Sequence, residues 1–97
     1  MVEKNIENEK IILKVSGRLD TTTSPELETE IDNCIEDAKE LVFDMTNLEY
    51  VSSAGLRVIL KAQKIMNSKG NMKLIGVNES VLEIFEITGF SDILNIE

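Results

Sequence analysis

Two adjacent serines, Ser52 and Ser53, are the residues of this chain whose type and position best suit chemistry. They follow a predicted strand and a polar loop and come directly before an amphipathic segment, so they lie at the predicted N-terminus of a helix. The first turn of a helix presents unpaired N–H groups and about half a positive charge. Such a position favours an anion, including a phosphate attached to a serine, although serine is also an ordinary N-cap residue.

Residues for conventional catalysis are scarce in this chain. It contains no histidine and one cysteine, which excludes histidine-based triads and histidine metal sites. Cys34 falls in a predicted helix stripe and is expected to be a small, semi-buried apolar residue. A nucleophilic Ser53 would need a base, and only Asp20, Asp44 or a lysine could serve. We therefore predict that the protein is not an enzyme and has no metal or cofactor.

Length and charge indicate one small domain that does not bind nucleic acid. The chain has 97 residues, of which 42% are hydrophobic, enough for one core. It carries 10 basic and 18 acidic residues, a net charge of −8, which is unfavourable for phosphate-backbone contacts. No apolar run approaches the ~18 residues of a membrane span, and residues 1–10 mix charged with apolar groups. We expect no membrane insertion, no signal peptide and a cytoplasmic location.

Periodicity and turn signals predict alternating strands and helices. The predicted strands are Val2–Glu7, Lys10–Val15, Glu40–Met45 and Met72–Val77, with a last short strand at Asp92–Ile96. The predicted helices are one that follows the N-cap Ser24, one over Gly55–Lys69, and one over Glu79–Thr88 between Asn78 and Gly89. The segment Thr46–Ser52 reads as a polar loop. Asn8 and Glu9 form a turn that joins the first two strands into a hairpin.

The order of these elements predicts the fold class. Strands that alternate with helices imply right-handed crossovers and a mostly parallel sheet. The N-terminal hairpin adds an antiparallel edge. We therefore expect a single α/β domain over residues 1–97, with a small mixed sheet and about three helices packed on one face.

A basic stripe is predicted on the second helix. No acidic residue lies between Tyr50 and Asn78, and Arg57, Lys61 and Lys64 follow one another at i, i+4 and i+7. At about 100° per residue they share one side of the helix, opposite its apolar side. The stripe is either solvated surface or a contact for an acidic patch on a partner.

Four segments together carry a family resemblance: Gly17–Asp20, Leu41–Asp44, Val51–Arg57 and Ile87–Phe90. With these segments the chain resembles, over essentially its whole length, the STAS domain of bacterial anti-sigma factor antagonists. The family fold, a mixed sheet with helices on one side, agrees with the order of elements above. Members serve in partner-switching pathways, and related domains serve in stress-signalling scaffolds and as subunits of lipid transport systems.

The resemblance implies a switch based on phosphorylation. In the family, an anti-sigma factor that is also a serine kinase phosphorylates the serine that aligns with Ser53. The unphosphorylated antagonist binds the anti-sigma factor, the phosphorylated form is released, and a PP2C-type phosphatase restores it. Asp20 and Asp44 match acidic positions near the phosphorylation site. Ser52 stands where well-studied members have aspartate, which leaves Ser52 as the alternative acceptor.

The expected site therefore centres on Ser53, and the alternative function is that of an interaction subunit that is never phosphorylated. Around Ser53, the residues expected near the phosphate or the partner are Asp20, Thr21, Asp44, Ser52, Ala54, Gly55, Leu56, Arg57, Lys61 and Lys64.

Overall fold

The structure, a computed structural model, describes residues 2–97. Its strands are β1 Val2–Glu7, β2 Lys10–Val15, β3 Gly17–Leu19, β4 Glu40–Asp44, β5 Leu48–Val51 and β6 Asn71–Ile75. Its helices are α1 Ser24–Cys34, α2 Ser53–Asn67 and α3 Glu79–Thr88, with 3-10 turns at Ile35–Asp37 and Phe90–Asp92. None of the helices in this part of the chain is long and apolar enough to cross a membrane.

The main sheet has four strands in the order β1-β2-β4-β6. Strands β1 and β2 pair antiparallel, whereas β2 pairs with β4 and β4 with β6 in parallel. Asn8 turns the hairpin with a φ of 56°, in the left-handed region that asparagine tolerates. The predicted mixed, mostly parallel sheet with an antiparallel hairpin is confirmed.

One face of this sheet carries the core. Alternate strand residues are buried there, because side chains in a strand point to opposite faces. The cluster that they form also contains the apolar stripes of all three helices, so the helices cover one face, as predicted. Its members include Ile11, Leu13, Leu41, Phe43, Leu74, Leu27, Ile31, Ile59, Met66, Val81 and Phe85. The opposite face of β2 and β4 carries Lys10, Lys14, Glu40 and Asp44 together with Ile12 and Val42, none of which belongs to this cluster.

A second, two-stranded sheet was not predicted. Strand β5, Leu48–Val51, lies in the segment expected to be a polar loop, and it pairs in parallel with β3. Leu48 and Val51 are buried, and Leu19 pairs with Val51. The loop prediction was wrong because a strand this short has too few residues to show a period. Its pairing depends on a partner about thirty residues away.

Several predicted boundaries also needed correction. Asp92–Ile96 is not a strand: a 3-10 turn over Phe90–Asp92 takes up its first residue, and within residues 2–97 a single bridge from Ile96 to Leu74 extends the sheet. The N-cap of α1 is Thr23 rather than Ser24, since the Asp20 carbonyl accepts the Ser24 N–H at 2.8 Å and starts the turn earlier. Helix α2 begins at Ser53, two residues before the predicted start.

The limits of α3, in contrast, are confirmed. The Asn78 side chain accepts a hydrogen bond from the Val81 N–H at 2.9 Å, which satisfies one of the free donors of the first turn. Gly89 ends the helix with a φ of 81°, a conformation that glycine adopts without strain.

Candidate functional site

The two serines lie at the N-terminus of α2, in different environments. Ser52 is the N-cap in an extended conformation, but its side chain makes no capping bond. Its Oγ is buried and has no hydrogen-bond partner among the described residues. Ser53 is the first residue of the helix and is exposed to solvent. Of the two hydroxyl-bearing residues, Ser53 is therefore the one open to another protein.

The start of α2 is held in place by the small sheet. The Ser52 N–H donates to the carbonyl of Leu19 at 2.8 Å, directly after the β3–β5 pairing. Gly55 lies against the same residue: a Cβ at position 55 would be 2.8 Å from Leu19 Cγ and 2.9 Å from Leu19 O. A side chain at position 55 would push the helix away, so the glycine of this motif serves close packing.

Asp20 follows Leu19 and organises the loop before α1. Its Oδ1 accepts hydrogen bonds from the Thr22 N–H at 3.0 Å, the Thr22 hydroxyl at 2.7 Å and the Thr23 N–H at 3.3 Å. The hydrogen bonds from Thr22, helped by those from Thr23, hold the pKa of Asp20 below its usual range. Asp20 is thus a fixed negative charge one residue from the contact that anchors α2.

Asp44 has a similar role at the end of β4. Its Oδ1 accepts bonds from the Thr46 hydroxyl at 2.6 Å and the Thr46 N–H at 3.1 Å, and these bonds lower the pKa of its carboxyl group. Together with Lys14, Asp44 lines a groove of about 270 Å³ on the face of the sheet opposite the core. The side-chain hydrogen bonds that Asp44 forms within residues 2–97 come from Thr46 and not from Ser52 or Ser53.

A groove of about 310 Å³ lies between α1 and α2, toward their N-terminal ends. It brings together four of the predicted site residues: Thr21, Ala54, Arg57 and Lys61. Its remaining lining residues are Ser24, Pro25, Glu28 and Val58. Gly55 and Leu56, in contrast, lie on the buried side of α2 and do not line this groove.

The predicted basic stripe is partly neutralised. Lys61 Nζ lies 3.1 Å from Glu28 Oε2 and 3.4 Å from Asp32 Oδ1, both on α1. The hydrogen bond to Glu28, together with Asp32, raises the pKa of Lys61. Arg57 and Lys64 are exposed, and neither forms an ion pair within residues 2–97. The free cations of this stripe are therefore Arg57 and Lys64.

An arginine–tyrosine pair that the sequence did not predict involves Arg18 and Tyr50. The guanidinium of Arg18 lies over the Tyr50 ring, 4.4 Å from its centroid, and Arg18 Nε is 3.9 Å from Asp20 Oδ2. These residues face each other across the β3–β5 pairing. Arg18 belongs to a motif segment, but Tyr50 was assigned to a loop, so the sequence contained no usable signal for the pair.

Among the described residues there is no cluster of metal ligands, and the thiol of Cys34 is buried. No group of three or more histidine, cysteine or acidic residues in this part is placed to hold a metal ion. Cys34 is buried, its Sγ donates to the Glu30 carbonyl at 3.0 Å, and burial raises the pKa of its thiol. This thiol is shielded and mainly protonated, as expected for a packing residue.

The fold and the site together define a small α/β protein whose exposed polar site lies on a helix N-terminus. The family model of the STAS domain matches residues 1–97, and the chain belongs to the STAS domain family.

Relatives and solved structures agree with this assignment. The chain is 33% identical to an anti-sigma F factor antagonist of Paenibacillus polymyxa, over 89% of this chain and 76% of the relative. It is 28% identical to an anti-sigma-B factor antagonist of Staphylococcus aureus, over 98% of this chain and 90% of the relative. The unphosphorylated form of the anti-sigma factor antagonist SpoIIAA has the same fold, with a TM-score of 0.86 at 15% identity, over 100% of this chain and 88% of that one. Phosphorylated SpoIIAA from Bacillus matches with a TM-score of 0.79 at 14% identity, over 100% of this chain and 91% of that one.

Proposed function

We propose that this protein is an anti-sigma factor antagonist that works by partner switching. In its unphosphorylated form it binds an anti-sigma factor that is also a serine kinase. Phosphorylation of Ser53 releases it, and a PP2C-type phosphatase restores the binding form. The proposal draws on relatives named anti-sigma factor antagonists and on the serine-bearing end of α2.

The observation that carries the proposal is the difference in exposure between the two serines. A kinase must bring the γ-phosphate of ATP into line with the attacking hydroxyl, which requires a reachable oxygen. Ser53 is exposed at the first position of α2, whereas the Ser52 Oγ is buried. This favours Ser53 as the acceptor, in agreement with its place in the motif.

Charge repulsion, rather than unfolding, explains release in this scheme. A phosphate adds about −1.5 to −2 charges. At a helix N-terminus a negative charge is favourable, typically by about 0.3–1 kcal/mol. The modified protein therefore keeps its fold, and the new charge and bulk act against the partner surface. A thermal melt with phosphoserine encoded at position 53 is expected to match or exceed that of the unmodified protein, and a clear fall in Tm would contradict this mechanism.

A regulatory rather than enzymatic role fits the surroundings of Ser53. Of the carboxylates suggested as a base, Asp20 is occupied by hydrogen bonds from Thr22 and Thr23, and Asp44 by those from Thr46. The depressed pKa values of both groups also make them weak bases. We propose that Ser53 receives a phosphate and catalyses no reaction, and that the protein acts in the cytoplasm.

Co-purification from the native cell tests the function. The tagged protein should bring down a kinase-type anti-sigma factor, and its intact mass should include one added phosphate in a fraction of the molecules. Ser53→Ala should abolish the phosphate and keep the partner, whereas the matched variant Ser52→Ala should keep both. Loss of the phosphate only in Ser52→Ala would move the acceptor to Ser52. An unmodified protein that co-purifies with transport or scaffold components would replace the proposal with the interaction-subunit function.

A further inference from the structure

We propose that Arg57 binds the phosphate of phosphorylated Ser53, an inference that rests on the proposed function. Phosphorylation would then change the surface in two ways. It would add an anion at the start of α2, and it would engage the exposed cation four residues further along the same helix.

Helix geometry places the two side chains together. Ser53 and Arg57 are four residues apart in the regular helix Ser53–Asn67, and both are exposed. Residues at this spacing lie on the same side of a helix, with Cβ atoms about 5–6 Å apart. Long side chains in helices lean toward the N-terminal turn, which here is the turn that begins at Ser53. An anion that precedes a cation by four residues is also the more favourable order.

Arg57 is available, whereas the other cations near the groove are engaged. Lys61 is paired with Glu28 and Asp32. Arg18 is stacked on Tyr50 and lies near Asp20. Arg57 has no ion pair among the described residues, although it lines the groove between α1 and α2. Its planar guanidinium can donate two parallel hydrogen bonds to a phosphate, which makes it a stronger partner than a lysine.

A pair between Arg57 and the phosphate would change the charge that the groove presents to a partner. Arg57 lines it together with the small or apolar residues Ala54 and Val58 of the same helix. In the unmodified protein the guanidinium is free to meet a carboxylate on a docking protein. In the phosphorylated protein it is directed to the phosphate of its own chain, so a docking carboxylate meets an anion without its former counter-charge.

The test measures the second pKa of the phosphate by ³¹P NMR, with phosphoserine encoded at position 53 of the full chain. That pKa is about 6 in an unperturbed phosphoserine. A bound guanidinium favours the dianion and lowers the pKa, so Arg57→Gln should raise it by roughly 0.3 of a pH unit. Arg57→Lys should show a smaller rise, because it keeps the charge but loses the two-bond geometry. Circular dichroism checks that each variant is folded.

Two matched variants separate a specific pair from general charge loss. Arg18→Gln and Lys64→Gln each remove one exposed cation, and both should leave the phosphate pKa near that of the unchanged phosphoprotein. Glu28 and Lys61, the other charged residues that line the groove, are the same in every variant, as is Asp20, which precedes the groove residue Thr21. An unshifted pKa in Arg57→Gln, or an equal or larger shift in Arg18→Gln, would overturn the proposal. Neither a kinase nor a partner enters this experiment, so its failure is distinct from a failure of the proposed function.

Discussion

Replacement of Gly55 by alanine should destabilise the protein, although helix propensity alone predicts the opposite. Gly55 lies in the first turn of α2, where alanine is favoured over glycine by up to about 1 kcal/mol. The added Cβ, however, would lie 2.8 Å from Leu19 Cγ, 2.9 Å from Leu19 O and 3.0 Å from Leu19 Cδ2. The sign of the effect depends on whether Leu19 can move.

The surroundings of Leu19 leave it little freedom. Its side chain is 1% exposed, so it is enclosed in the core, and its carbonyl accepts the Ser52 N–H. Overpacking of a core by one methyl group costs typically about 1–3 kcal/mol. From a mid-range cost of about 2 kcal/mol, subtraction of a propensity gain of up to about 1 kcal/mol leaves an expected fall in the free energy of unfolding of about 1–2 kcal/mol for Gly55→Ala. In a domain of this size that corresponds to a fall in Tm of at least about 4 °C.

Urea unfolding followed by circular dichroism measures this loss, and two further variants separate its causes. Ala54→Gly, at the preceding position, reports the propensity term alone and should be mildly destabilising. In a Leu19→Ala background, Gly55→Ala should cost less than in the unchanged chain, because two of the three close contacts are gone. A Gly55→Ala protein as stable as the unchanged protein, or a cost that is the same in both backgrounds, would refute the close-packing argument.

Three other predictions concern Asp44, Cys34 and the two lysines of the basic stripe. Because hydrogen bonds from Thr46 lower the pKa of Asp44 in the folded protein, their stabilisation is present above the unfolded carboxyl pKa of about 3.9 and is lost as the pH falls through the lower folded value. On acidification from neutral pH to below the folded pKa of Asp44, the free energy of unfolding should therefore fall less in Thr46→Val than in the unchanged protein. Urea unfolding at each pH measures both falls. The thiol of Cys34, whose pKa is raised by burial, should react with a thiol reagent far more slowly in the native protein than in urea, and equal rates would show that the site opens. Lys64→Glu should slow association with the partner at low salt without loss of stability. Lys61→Glu should also destabilise the packing of α1 against α2, because it places a third carboxylate beside Glu28 and Asp32. Association rates that are unchanged by Lys64→Glu would show that Lys64 is solvated surface only.

Local signals in the sequence were enough for most of the fold. Asn78 and Gly89 delimit α3 because a cap and a left-handed residue act on the turn next to them. The apolar period of α2 and the buried runs of β2 and β4 are likewise properties of neighbouring residues. The order of strands and helices followed from these elements, since chain connectivity restricts how a mixed sheet can form.

The details of the site depended on residues remote in the sequence. Strand β5 forms because it pairs with β3, and its own four residues are too few to show a strand pattern. Lys61 is paired because α1 and α2 lie side by side, which joins it to acids 29 and 33 residues away.

The sequence by itself determined that two serines lie at the start of a helix, because a motif and a helix period are local patterns. Only the tertiary structure decided that the Ser52 Oγ is buried, that Ser53 is exposed and that Arg57 forms no ion pair within residues 2–97. Burial and ion pairing depend on which distant segments pack together, and the sequence of one segment does not specify which other segments pack against it.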